Sequence, residues 1–291
     1  MHKAGYVSIV GLPNAGKSTL LNSLAGEKLS IVTHKPQTTR LQLKAFVSEK
    51  DYQIIFIDTP GIISPKYKLQ EAMMKHVEDA LADAEVVLLV VDAYHKSEDY
   101  QDIEVTRQKS KKKWILALNK IDTMTAEKVK ESKKDWSRWF ASEDIFPISA
   151  SVKTNLEALV ERLVQLLPEH PAYYAEDELT DVSERFIVAE MIRERMLLQY
   201  REEIPYSVEI IIEEFQEQEL LTKIRAVINV ERETQKAIVI GHKGVSIKKL
   251  GTDAREHIES FLGRKVYLDL TVKGKPNWRN DAQSLQRFGY S

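Results

Sequence analysis

The stretch YVSIVGLPNAGKST (6–19) constrains this chain more than any other. An apolar, β-prone run leads directly into Gly11-Leu12-Pro13-Asn14-Ala15-Gly16-Lys17-Ser18, with the spacing G-x-x-x-x-G-K-[ST], and a helical pattern follows over about 17–25. Strand, glycine loop and helix in that order form a cradle for phosphate. The glycines let backbone N–H groups approach phosphate oxygens with no Cβ in the way, and the helix N-terminus adds its positive dipole end. Lys17 suits the β- and γ-phosphates and Ser18 a Mg2+ ion, with Gly11, Asn14, Ala15, Gly16 and Thr19 as the other expected contacts. By itself the pattern is also compatible with a tight turn that binds nothing.

The first 168 residues repeat the same grammar. LQLKAFVS (41–48) and YQIIFID (52–58) flank the turn signal EKD, and a helix is expected at about 69–82. EVVLLVVD (85–92), WILALN (114–119) and DIFPIS (144–149) are each followed by a helix-period stretch. Near-continuous apolar strands such as VVLLVV suit a sheet covered on both faces. The reading is a doubly wound, mostly parallel α/β sheet with 41–48 and 52–58 as its one antiparallel hairpin.

Short polar motifs stand at the ends of these strands. Asp58-Thr59-Pro60-Gly61 puts a carboxylate where it can hold a Mg2+ shell, and Gly61 offers its N–H to a γ-phosphate. Asn119-Lys120-Ile121-Asp122 supplies a carboxylate that can accept both N1–H and the exocyclic amine of guanine. Adenine has neither donor, so it would leave that carboxylate unpaired. Ser149-Ala150 fits a backbone donor to the guanine oxygen. Together, and in order, the motifs point to GTP and GDP as ligands.

Past this region the composition shifts. PEHPAYYAEDELTD (168–181) reads as a linker, giving an expected division into a nucleotide domain (1–168), a linker (169–182) and a second module with a tail (183–291). Asp181 and Glu184 suggest a capped helix start, with the helix running to about Tyr200. SVEIIIEEF (207–215), TKIRAVINVER (222–232) and AIVI (237–240) read as strands, then a helix over 245–262 and a last strand KVYLDLTV (265–272). The charge balance is uneven: residues 169–222 carry 4 basic and 15 acidic side chains, and residues 223–275 carry 12 and 6. Such segregation suits a polyanion partner, or pairing between neighbouring segments. Between AIVI and the next helix lies Gly241-His242-Lys243-Gly244. It could be a second nucleotide pocket, a clamp on a nucleic-acid backbone, or a plain turn. No Lys-Ser/Thr pair follows it, which argues against the first. In the second, His242 and Lys243 would face phosphates, with Lys248 and Lys249 nearby and Val245 and Ile247 forming an apolar groove for bases. Trp278, Arg279 and Arg287 are candidates to extend that surface, and KSKKKW (109–114) reads as a solvated helix end.

At the nucleotide motifs the chain resembles translation-factor-related GTPases, and Thr38-Thr39-Arg40 in HKPQTTR (34–40) resembles the first switch of the Era family. The resemblance implies Thr39 as the switch ligand of Mg2+ and the γ-phosphate, with Thr38 as the next candidate. With the order helix, strand, strand, helix, helix, strand around the G-x-x-G loop, it implies a P-loop GTPase domain followed by an α+β KH domain of type II. It further implies slow intrinsic GTP hydrolysis involving Asn14, Lys17, Thr39 and Gly61, and single-stranded RNA at Gly241–Gly244, Ile247, Lys248 and Lys249. Family partners implied are the 3′ end of 16S ribosomal RNA and the small (30S) ribosomal subunit, with a peripheral membrane contact reported. One departure matters: Ile62 stands where many GTPases place a glutamine that orients water. In related GTPases with an apolar residue there, the asparagine matching Asn14 helps bind a K+ ion. A C-terminal module for a protein or membrane, and an ATP-using kinase, are the rival readings; Asp122 opposes the second. There are no cysteines, the seven histidines show no metal-ligand spacing, and VVLLVV is too short to span a bilayer, so a cytoplasmic protein is expected; a monomer is the accompanying expectation.

Overall fold

The computed structural model describes residues 1–290; Ser291, the end of the expected tail, lies outside the described residues. The chain divides into two compact units. One comprises Met1–Ser30, Thr39–Ser64 and Met73–Asp181; the other comprises Ile31–Thr38, Pro65–Ala72 and the chain from Val182.

The first unit is built on a six-stranded sheet. Its strands are β1 (Lys3–Val10), β2 (Leu43–Glu49), β3 (Tyr52–Asp58), β4 (Val86–Asp92), β5 (Lys113–Asn119) and β6 (Ile145–Pro147), in the order β2-β3-β1-β4-β5-β6. Only β2 is antiparallel, paired with β3 from Leu43 opposite Asp58 to Glu49 opposite Tyr52. Val86 to Val91 of β4 are all buried, as a strand with both faces covered requires. The helices are α1 (Lys17–Ala25), α2 (Lys68–Asp83), α3 (Gln101–Lys109), α4 (Ala126–Trp136) and α5 (Leu156–Leu166); the first turn of α2 belongs to the second unit. On one face Val87, Leu89 and Val91 pack in a cluster with Tyr100 and Trp136, whose rings meet edge-on at 5.3 Å. The order places β1 between β3 and β4, so the carboxyl ends of these strands open the crevice where α/β sheets bind ligands.

Residues 169–181, an acidic stretch, lie along this unit. Gln53 organises them: its side-chain carbonyl accepts from the Tyr173 and Tyr174 N–H groups at 2.7 and 3.1 Å, and its amide donates to the Tyr174 carbonyl at 2.9 Å. Tyr174 stacks on Phe46 with centroids 3.8 Å apart. Asp181 pairs with Lys44 at 3.6 Å instead of capping a helix.

The second unit holds α6 (Glu184–Gln199), β7 (Val208–Glu217), β8 (Leu221–Val230), α7 (Glu233–Ile240), α8 (Val245–Leu262), β9 (Lys265–Gly274) and α9 (Ala282–Arg287). β7 and β8 are antiparallel with a bulge between Ile212 and Glu214, and β9 joins β8 in parallel. The N-cap of α6 is Ser183, whose hydroxyl accepts from the Phe186 N–H. AIVI, expected as a strand, is the second half of helix α7. Gln235 and Val239 are buried four residues apart while Ala237 and Ile238 are exposed, a helical period and not an alternation. The Gln235 side chain also accepts from the Glu231 and Arg232 N–H groups, each at 3.0 Å, which starts the helix immediately after β8. The G-x-x-G stretch therefore joins two helices, in the order the module as a whole implied.

Candidate functional site

At the carboxyl end of β1 the glycine loop wraps tightly. A Cβ on Gly11 would lie 2.2 Å from the Val90 carbonyl oxygen, and one on Gly61 would lie 2.8 Å from the Pro13 nitrogen. The Ile62 N–H donates to the Gly11 carbonyl at 3.0 Å, so the Asp58–Gly61 turn lies directly against the loop. Gly16 starts α1 with φ of 96°, and a Cβ there would meet Asn119 Nδ2 at 2.2 Å. Asn119 is a brace: its amide donates to the Ala15 carbonyl and its carbonyl accepts from the Ala150 N–H, both at 2.9 Å. Loop, Asn119 turn and Ser149-Ala150 turn are thus fixed to one another through one buried side chain.

Lys17 is buried, and its ammonium donates to the Gly11 and Leu12 carbonyls at 3.2 and 3.0 Å. Desolvation draws its pKa down to about 8, against the pull of Asp58. Asp58 is also fully buried, and desolvation holds its carboxyl above the ordinary range, although Lys17 and hydroxyl donors work in the opposite direction. Its Oδ2 accepts from Ser18 Oγ at 2.7 Å, Ser30 Oγ at 3.1 Å and Thr39 Oγ1 at 3.4 Å, and Ser18 and Thr39 hydroxyls are 2.9 Å apart. Its Oδ1 is buried with no hydrogen-bond partner. A carboxylate with a spare buried oxygen beside two hydroxyls is the donor set of a hard, oxygen-seeking ion such as Mg2+, and the glycine cradle suits the phosphates it accompanies. Thr38, by contrast, has its hydroxyl engaged with Thr33 at 2.7 Å and the Lys35 carbonyl at 2.7 Å.

At the base-reading end, exposed Asp122 accepts from Ser149 Oγ at 2.5 Å. Lys120, with φ of 69°, is paired at 2.8 Å with Asp92, the last residue of β4. Asn14 is exposed with φ of 64°, and Thr19 is half-buried one residue into the helix after Ser18. Ser30, Asn22 and Asp92 went unassigned in the sequence. The visible signal for Asp92 was its place ending an apolar strand; the other two had none.

In the second unit Gly241, Lys243 and Gly244 all have positive φ, 74°, 49° and 79°, and His242 and Lys243 are exposed. Next to this loop a cleft of about 340 Å3 has an apolar floor of Ile247, Leu268 and Leu270 and basic edges at Lys248 and Arg255. Lys249 is exposed on the same helix. Val245, expected to share the groove with Ile247, is outside the cleft lining and largely exposed. Trp278 and Arg279 do not extend this surface. Trp278 is fully buried, donating from Nε1 to the Ser207 carbonyl at 3.0 Å, and Arg279 is tied to Glu231 and stacked 4.9 Å over the Tyr67 ring. Their aromatic and cationic character serves packing.

Comparison with known proteins bears on both units. Residues 6–120 match the family described as 50S ribosome-binding GTPase, and residues 203–279 match the KH domain. The chain is 42% identical to GTPase Era of Clostridium kluyveri over 300 aligned positions that cover all of both proteins. The chain belongs to the Era family of GTPases. GTPase Era of Halothermothrix orenii is 43% identical over 99% of each chain, and the chloroplastic GTPase ERA-like protein of Oryza sativa is 41% identical over 99% of this chain and 70% of its own. Among solved structures, Era in complex with MgGDPNP and nucleotides 1506–1542 of 16S ribosomal RNA aligns with a TM-score of 0.94 at 38% identity over the full length of both chains. A point variant of Aquifex aeolicus Era bound to GDP and AlF4− aligns at 0.93, also at 38% identity, over 99% of each. This Era-family chain is therefore a GTPase with an α/β nucleotide domain followed by a C-terminal KH domain.

Proposed function

We propose that the chain uses GTP binding and hydrolysis to gate its hold on single-stranded RNA at the 3′ end of 16S ribosomal RNA, and so assists assembly of the small subunit. The RNA complex of its structural relative supports the ligand. The observation that carries the gating is the membership of the second unit. Residues 31–38, which end next to Thr39, and residues 65–72, which follow Gly61, pack with the KH module. Helix α6 holds the first segment at three points. Glu194 Oε1 accepts from the Val32 N–H at 3.1 Å, the Tyr200 carbonyl accepts from Lys35 Nζ at 2.5 Å, and buried Arg193 donates to the Thr38 carbonyl. The same helix end reaches both flanks of the G-x-x-G loop. Tyr200 OH donates to the Val239 carbonyl at 2.7 Å and Gln199 Nε2 to the Ser246 carbonyl at 2.8 Å.

In this reading Asp122 selects guanine, Lys17 and the loop N–H groups hold the phosphates, and Ser18, Thr39 and Asp58 hold Mg2+. When bound, that ion neutralises charge on the phosphate oxygens. A γ-phosphate draws in Thr39 and the Gly61 N–H; its loss releases both, and the pull on residues 31–38 passes to α6. Because Ile62 cannot orient water, the intrinsic rate is slow, and Asn14 is the residue that would help to hold a K+ ion, which would supply positive charge there. At the second unit, His242 and Lys243 face the RNA backbone, and the cleft beside Ile247 receives a base. A monomer working in the cytoplasm, with at most a peripheral membrane contact, belongs to the same reading; among the described residues no helix is long and apolar enough to cross a membrane.

Fluorescence anisotropy with a 16S 3′-end oligonucleotide tests the RNA assignment. A clamp on about four backbone nucleotides should lose roughly fiftyfold in affinity between about 50 and 200 mM salt. Affinity that ignores salt would refute it.

A further inference from the structure

Ser30 and Asn22 belong to neither the phosphate loop nor the switch motifs, yet they converge on Asp58. Asn22 sits on α1 four residues beyond Ser18, one turn along the same face. Its side-chain carbonyl accepts from the Leu29 N–H at 3.0 Å and the Ser30 N–H at 2.9 Å, and its amide donates to the Ser30 carbonyl at 2.7 Å. Three bonds from one side chain thus pin two consecutive residues, and Leu29 and Ser30 are both buried. The outcome is a hydroxyl held 3.1 Å from Asp58 Oδ2.

We infer that Ser30, clasped by Asn22, is a positioning residue that fixes the rotation of the Asp58 carboxylate and so presets the Mg2+ site. The inference rests on the reading of Asp58 with Ser18 and Thr39 as that site. Ser18 and Thr39 also touch Oδ2, but both are expected to give lone pairs to the ion, and Thr39 moves with its switch. Ser30 is free of both duties. Its bond holds Oδ2 toward the Ser18 and Thr39 hydroxyls, where the ion would be held, and leaves Oδ1 buried with no hydrogen-bond partner. Such support around a metal carboxylate ordinarily matters by a factor of about 10 to 100 in metal affinity.

The test uses the full chain loaded with a fluorescent GDP, its release being followed as free Mg2+ is varied and finally chelated. Ser30→Ala should raise the Mg2+ concentration that half-maximally slows release by about tenfold, with release in chelator unchanged. Ser30→Thr, which keeps the hydroxyl, should restore the wild-type midpoint. Asn22→Ala should shift the midpoint in the same direction, and adding it to Ser30→Ala should produce little further change, because both act through one bond. A wild-type midpoint in Ser30→Ala would overturn the inference, and so would an equal acceleration of release in chelator, which marks general loosening. Wild-type release that is indifferent to Mg2+ would instead overturn the underlying metal-site reading.

Discussion

Gly16 and Asn119 form the contact on which the nucleotide pocket depends, and a double-mutant cycle measures it. In Gly16→Ala the new Cβ would lie 2.2 Å from Asn119 Nδ2, a distance no carbon and nitrogen share without a bond. Asn119 has to turn away, since the loop backbone on the other side is fixed by Lys17 and Ile62. Turning away strips partners from the Ala15 carbonyl and the Ala150 N–H, on residues only 2% and 1% exposed. Each unsatisfied buried group costs roughly 1–3 kcal/mol. The left-handed backbone at φ 96° adds roughly 1–2 kcal/mol for any residue with a Cβ. The single substitution should therefore cost roughly 3–8 kcal/mol, against roughly 2–6 kcal/mol for Asn119→Ala, which loses the same two bonds. In the double variant nothing remains for the Cβ to strike, and only the backbone strain should be added. The double variant should be more stable than additivity predicts by roughly 2–6 kcal/mol. Urea unfolding of the nucleotide-free chain in chelator reads this, with Trp114, Trp136 and Trp139 reporting on the first unit. Additivity within about 0.5 kcal/mol would refute the brace.

Lys17 should show itself through protons. Its pKa of about 8 in the folded protein lies below the ordinary 10.5, so above about pH 8 the unfolded chain binds a proton the native one lacks, and stability contributed here rises with pH to about 10.5. Phosphate restores the charge, so GDP binding near pH 9 should take up close to one proton, measured by calorimetry in buffers of different ionisation enthalpy; no uptake would contradict the burial argument. In the KH loop, Gly241→Asp confounds charge with collision, because a Cβ there would meet Ser246 Oγ at 2.4 Å. Gly244 has open space around its Cβ position, so a side chain there strikes no neighbour, although its left-handed φ of 79° costs a residue with a Cβ roughly 1–2 kcal/mol. Gly244→Asp should bind RNA at least about tenfold more weakly at low salt than Gly244→Asn, which shares the backbone strain without the charge; equal RNA affinity in the two variants would remove this loop from the interface. Tyr200→Phe deletes the bond from α6 to the Val239 carbonyl. Anisotropy titrations should show a smaller ratio of RNA affinities between GTP and GDP states, and an unchanged ratio would exclude this route.

Most of the fold and the nucleotide site could be read from the sequence because both rest on local rules. VVLLVV, short and β-branched, suits a doubly covered strand, and each polar motif directly follows an apolar β-prone run, so the strand ends point to the candidate site residues. The misreadings arose where tertiary packing overrides local preference. AIVI is β-prone, but Gln235 caps the preceding turn and the burial of Val239 sets a helical period. Asp181 resembles a helix cap until Lys44, distant in sequence, claims it and Ser183 takes its place. Trp278 and Arg279 have the chemistry of RNA contacts, and only their burial and the pairing with Glu231 give their actual use. Ser30 and Asn22 were invisible for a simpler reason: their role lies in three hydrogen bonds and one carboxylate, none of which has a sequence pattern.

The central claim is that the nucleotide at the first unit controls the RNA grip of the second. Its most direct test is the dissociation constant of a 16S 3′-end oligonucleotide for the chain loaded with GDPNP, loaded with GDP, and free of nucleotide, at one salt concentration. The account predicts values that differ by about 5-fold or more, with RNA shifting GDPNP affinity by the same factor in the reciprocal titration. Equal RNA affinity in all three states would contradict it.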